Sequence, residues 1–138
     1  MPVVPLTAPP SSRRRALVVL PLAWAALVLV LTLTPAQDMP HTPPWELVSF
    51  DTAAHAFVFW VLAVLSYFSA RRQRRFPRVR QHAFALVLLS GLAFGALIEL
   101  LQMRMALGRH GEWSDVISDG IGTGAGLLSM WALRRWWD

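Results

Sequence analysis

The run ALVVLPLAWAALVLVLTLT, residues 16–34, holds 19 residues without one ionisable group. At a rise of about 1.5 Å per residue, a helix of that length nearly matches a hydrocarbon layer of about 30 Å. Three more apolar stretches follow, at about 53–70, 83–101 and 116–133, each near the length of a membrane-crossing helix. Together they take up most of a 138-residue chain that is 55% hydrophobic and only 15% charged. The expected fold is all-α: a polytopic transmembrane bundle of four helices over 16–138, preceded by a cytoplasmic N-terminal tail, 1–15. Composition leaves no room for a separate soluble domain, and no internal repeat is visible.

The ends of the first run invite a second reading. Arg13 to Arg15 before it and Thr34-Pro35-Ala36-Gln37 after it have the outline of a secretory signal peptide. The apolar run exceeds the 7–15 residues or so of a signal core, and the small-residue pair before a cleavage point is imperfect, so it is read as an anchor.

All thirteen basic residues are arginines, and they fall unevenly between the spans. Arg13 to Arg15, Arg71, Arg72, Arg74, Arg75, Arg78, Arg80, Arg134 and Arg135 lie on one side; Arg104 and Arg109 lie on the other. Cytoplasmic loops retain positive charge, so both termini are expected in the cytoplasm of a multi-pass inner-membrane protein. Seven of the eight acids fall on or near the opposite side. Trp45 and Trp113 near one boundary, and Trp131, Trp136 and Trp137 near the other, suit interfacial anchoring. Clusters of arginine between apolar spans point to lipid headgroups rather than to nucleic acid. The absence of cysteine rules out thiolate metal sites, thiol nucleophiles and disulfides.

Charge inside a bilayer costs about 2.5–3.5 kcal/mol per residue, so the polar groups within or beside the spans need compensation. They come in pairs: Asp51 and His55 are i,i+4, Glu99 and Gln102 are i,i+3, and Asp115 and Asp119 are i,i+4. Each pair occupies one helix face. Those faces continue as small residues, Gly91 and Gly95 before Glu99, and Gly122 and Gly126 after Asp119. Small residues four apart mark close helix contact, which places the acids at helix interfaces, pointing into the bundle and opening toward the outer surface.

Asp51 and Asp115 also fit plain N-terminal caps of their helices. Glu99 does not, because it lies near a helix C-terminus, where the macrodipole disfavours an anion; Arg109, Arg104 or His55 is its expected partner. A charge-paired structural network and a functional one both fit this pattern. His41, His55 and His110 accompany carboxylates on the outer side, yet no metal-ligand spacing such as paired histidines on one helix appears, and no metal or cofactor is assigned. A phosphate loop, a nucleophile elbow and a Ser-His-Asp arrangement are also missing from the sequence.

The order Phe50-Asp51-x-x-x-His55, Glu99-x-x-Gln102, Gly108-Arg109 and Asp115-x-x-x-Asp119-x-x-Gly122-x-x-x-Gly126 resembles the VanZ-like membrane proteins over about 50–126. Two positions depart from that pattern: Thr52 stands where the family usually has Lys, and Asp119 where it usually has Asn. The resemblance implies a small bacterial inner-membrane protein of a family whose founding member lowers susceptibility to the glycopeptide teicoplanin. It supplies no reaction.

The primary expectation is a non-enzymatic protein whose outward-facing pocket binds a cell-envelope ligand, such as a cell-wall precursor or a lipid-linked molecule. Asp51, His55, Glu99, Gln102, Arg109, Asp115 and Asp119 form that pocket, with Arg109 suited to a carboxylate or phosphate. The alternatives are a membrane enzyme with Glu99 or His55 as general base and Arg109 stabilising developing charge, or a bundle whose ionisable groups are structural or proton-relaying.

Overall fold

The computed structural model describes residues 11–35, 44–105 and 112–136, and among these every regular element is helical. Helix α1 covers Ser11–Thr32, α2 Pro44–Arg72, α3 Pro77–Gln81, α4 Ala83–Met105 and α5 Trp113–Leu133, and a 3-10 turn, Arg134–Trp136, ends the described chain. Three of these helices, over Thr52–Arg72, Ala83–Met105 and Trp113–Trp136, are long and apolar enough to cross a membrane. The apolar part of α1, Leu17–Thr32, is shorter.

The elements start and stop for local reasons. Pro44 opens α2, where a missing N–H costs nothing. Arg71 and Arg72 close it, as cations suit the negative end of a helix. The turn that follows is pinned by one side chain: Gln73 Nε2 donates to the Phe76 carbonyl, and Gln73 Oε1 accepts from the Phe76 N–H at 2.8 Å. Pro77 then starts the short α3, a helix that hydrophobic periodicity did not signal because it buries no residue. Because α2 begins at Pro44, Asp51 lies inside the helix and is not its cap. Glu112 is the N-cap of α5, which puts Asp115 in the first turn rather than at the cap.

Packing is organised around α2 and α5, which share the most extensive contact of the bundle. His55 meets Asp119, Ala56 meets Gly122 and Trp60 meets Gly126, so the two helices run side by side in the same direction. A Cβ on Gly122 would stand 2.1 Å from the Ala56 carbonyl oxygen, and one on Gly126 2.7 Å from that of Trp60. Backbone-to-backbone approach of this kind is what small residues permit in membrane helices. Helix α4 runs antiparallel to α5, with Thr123 against Gly91 and Asp119 against Gly95. Helix α1 joins through a hydrogen bond of 2.9 Å from Trp24 Nε1 to the Val58 carbonyl.

Between the helices, Val28, Phe59, Leu62 and Ile98 form one apolar cluster, and Ala63, Val87 and Leu127 a second. Large apolar side chains such as Val30, Leu89, Ile121 and Leu128 point outward and are more than 60% exposed. In lipid this outward face lies in a compatible solvent, so the bundle is held by close packing and polar contacts rather than by water exclusion. Trp113 and Trp136, at opposite ends of α5 and its extension, are both largely exposed, as interfacial anchors are.

Candidate functional site

The residues toward the C-termini of α1 and α4 and the N-terminal parts of α2 and α5 converge on one level of the bundle. Asp119 lies ~9 Å into α5 from Trp113, and Glu99 ~9 Å before the end of α4 at Met105. There the polar side chains are buried: His55 and Glu99 are 4% exposed, Gln102 2% and Asp119 1%. Helical periodicity explains the convergence: Glu99 and Asp119 lie on the glycine stripes through which α4 and α5 pack, and His55 precedes Ala56, which meets Gly122.

The central contact joins α2 to α5. His55 Nδ1 and Asp119 Oδ1 are 2.9 Å apart, a buried pair. Gly95 of α4 supplies the space for that carboxylate, because a Cβ there would lie 2.8 Å from Asp119 Oδ2. Thr123 donates its hydroxyl to the Asp119 carbonyl at 2.8 Å, and Ser118 donates to that of Ser114 at 2.9 Å. Both hydroxyls are thereby satisfied within α5, as buried polar groups require.

Glu99 takes a backbone donor, and Arg109, one of its expected partners, lies outside the described residues. Its Oε2 accepts from the backbone N–H of Glu112 at 2.9 Å. Arg104 is exposed on the surface of α4. Glu112 is the N-cap of α5, so the carboxylate sits against the positive end of that helix macrodipole. The disfavour it meets at the end of α4 is offset by its neighbour. The other oxygen, Oε1, is buried and has no hydrogen-bond partner among the described residues. His55, Asp115 and Asp119 all lie within electrostatic range of the same carboxylate.

Gln102 closes the layer toward α1. Its Nε2 donates to the Thr32 carbonyl at 2.8 Å, satisfying a carbonyl of the last turn of α1 that has no partner within the helix. The Thr32 hydroxyl donates back to the Val28 carbonyl at 2.8 Å.

The structure therefore brings together His55, Glu99, Gln102 and Asp119, with Asp115 half-buried at the edge. The side chain of Asp51, and Arg109, His41 and His110 altogether, lie outside the described residues. No group of three His, Cys, Asp or Glu side chains among the described residues is placed to hold a metal ion. Ser118 and Thr123 join the layer unannounced, although spacing carried the signal: Ser118 is three residues after Asp115, and Thr123 four after Asp119. Thr32 and the Glu112 N–H carried no such signal, since both act through backbone groups.

A helical bundle with an apolar exterior and a buried layer of acid, imidazole and amide defines a membrane protein with an internal polar site. The chain belongs to the VanZ/LLP1 family, whose profile matches residues 10–134. No curated protein matches it. No solved structure matches it either.

Proposed function

We propose that this VanZ-like membrane protein binds a cell-envelope ligand at the polar layer of His55, Glu99, Gln102, Asp115 and Asp119, with Asp51 and Arg109 completing the site. The observation that carries this reading is Glu99 Oε1, a buried carboxylate oxygen without a hydrogen-bond donor among the described residues. Buried acceptors are almost always satisfied, so one that is not calls for a donor from outside these helices, such as a bound molecule, water or ion. Its location favours the reading too, because the half-buried Asp115 and the exposed Glu112 lead from the layer to the end of the bundle. The site faces the outer surface of a multi-pass inner-membrane protein, where envelope precursors are displayed.

The test is susceptibility to teicoplanin, with vancomycin for comparison, in a sensitive host expressing the wild type or Glu99→Gln at matched membrane abundance. Protection by the wild type alone supports a functional polar layer linked to glycopeptide resistance. Protection by neither removes the resistance link, and equal protection by both removes Glu99 from the site.

A second reading draws on the His55–Asp119 pair. An imidazole held by a buried carboxylate is the arrangement in which histidine serves as a general base, here toward a lipid-linked envelope substrate. Under it, His55→Gln abolishes turnover of added envelope lipids while the protein still accumulates. Absence of any product from the wild type sinks that reading.

A further inference from the structure

At the other end of the bundle, α2, the turn after it and α3 enclose a cleft of about 430 Å³ lined by Arg71, Gln73, Arg74, Pro77, Arg80 and Gln81. Three arginines thus line one concave surface, and they are distributed over both walls: Arg71 on α2, Arg74 on the turn and Arg80 on α3. Other arginines of this end stack on rings. Arg72 lies 5.1 Å from the centre of Phe68, Arg75 5.6 Å from Phe76, and Arg134 4.9 Å from Trp131.

The cleft has a fixed wall and a basic lining. Gln73 holds the turn through its two hydrogen bonds to the Phe76 backbone, so the positions of Arg74 and Pro77 follow from a closed local ring. The acidic side chains among the described residues, Glu99, Glu112, Asp115 and Asp119, all sit toward the opposite end. Glu99 is 16 residues along α4 from Ala83, ~24 Å away along the axis. Phe76, 58% exposed, and Trp136, 86% exposed, mark this end as a membrane-interface level.

We infer that this cleft binds the phosphate of an anionic phospholipid headgroup, with Arg71, Arg74 and Arg80 as the ligating side chains. Guanidinium groups match phosphate oxygens through paired N–H donors, and the cleft lies where headgroup phosphates lie when α2 and α4 cross the bilayer. The volume accommodates a phosphate with its glycerol. Topology signalling needs only that the arginines be present in the loop. A concave site needs them placed, and the two requirements separate by experiment.

Full-length protein is placed in nanodiscs of phosphatidylcholine alone or of phosphatidylcholine with phosphatidylglycerol, and retained lipid is counted by native mass spectrometry after release. The wild type is expected to retain phosphatidylglycerol selectively. Arg74→Gln with Arg80→Gln is expected to weaken that retention well beyond the roughly thirtyfold that two basic residues near the surface contribute wherever they sit. Arg134→Gln with Arg135→Gln removes the same charge from the same end but spares the cleft, and is expected to weaken retention by no more than that roughly thirtyfold. Equal losses in the two double variants, or no preference for phosphatidylglycerol in the wild type, overturn the inference. An arm with inorganic phosphate in detergent separates the sources: phosphate binding without phosphatidylglycerol retention overturns the lipid assignment. Should the first double variant fail to accumulate, Arg80→Gln against Arg135→Gln makes the same comparison.

Discussion

The two ends of this bundle treat charge in opposite ways. At one, His55, Glu99 and Asp119 are withdrawn between helices and held by specific partners. At the other, Arg74, Arg75, Arg134 and Arg135 stay on the surface, and two of them rest on aromatic rings. A charge kept at the interface costs little and can be placed loosely. A charge carried into the bundle is expensive unless its geometry is satisfied, so the buried end is where sequence, packing and function constrain one another most tightly.

The largest effect should come from the contact that brings the buried end together. Gly122→Ala places a Cβ against the Ala56 carbonyl, and neither backbone can yield without separating α2 from α5. A loss of about 3 kcal/mol or more is expected, read as a fall in melting temperature in detergent or as failure to accumulate. Gly124→Ala is the control, because no atom lies within 4 Å of the Cβ it would add. That change should be neutral or stabilise by up to about 1 kcal/mol through helix propensity. Similar outcomes for the two variants would mean that α2 and α5 do not approach as described.

Next in size is the buried pair. Asp119→Ala leaves His55 without its carboxylate and should cost about 2 kcal/mol, whereas Asp119→Asn keeps a hydrogen-bond acceptor and should recover most of it. A double-mutant cycle with His55→Ala measures the coupling directly; additive losses would show that the pair contributes nothing as a pair. The smallest effect belongs to the other end. Arg75→Gln removes an exposed contact with Phe76 and should change melting stability by less than about 0.5 kcal/mol. A loss as large as that of Asp119→Ala would abolish the contrast between the ends.

Much of the buried end could be read before folding was considered. Glu99, Gln102 and Asp119 share faces with glycines, His55 shares one with Asp51, and helical periodicity carries such faces into contact. What periodicity does not carry is the identity of partners. The expected partners of Glu99 were side chains, Arg109, Arg104 or His55, because arginine is the obvious counter-charge. Among the described residues the hydrogen-bond donor to it is the N–H of Glu112, a backbone group that stands there only once α5 starts beside α4, while Arg109 lies outside them. The N-terminal cap reading of Asp51 failed for a related reason. Its assignment depended on where α2 begins, and Pro44 starts that helix two turns earlier.

By itself, the sequence determined an all-helical membrane protein of the VanZ/LLP1 family, the separation of arginines from acids, and the faces on which the polar residues lie. These follow from composition, order and a 3.6-residue period, all properties of the chain taken one helix at a time. Only the tertiary structure decided that His55 pairs with Asp119, that Glu99 is held by the start of α5, and that Arg71, Arg74 and Arg80 share a cleft. Each of these depends on the register between helices distant in sequence, and register is set by which backbones can approach closely enough to touch.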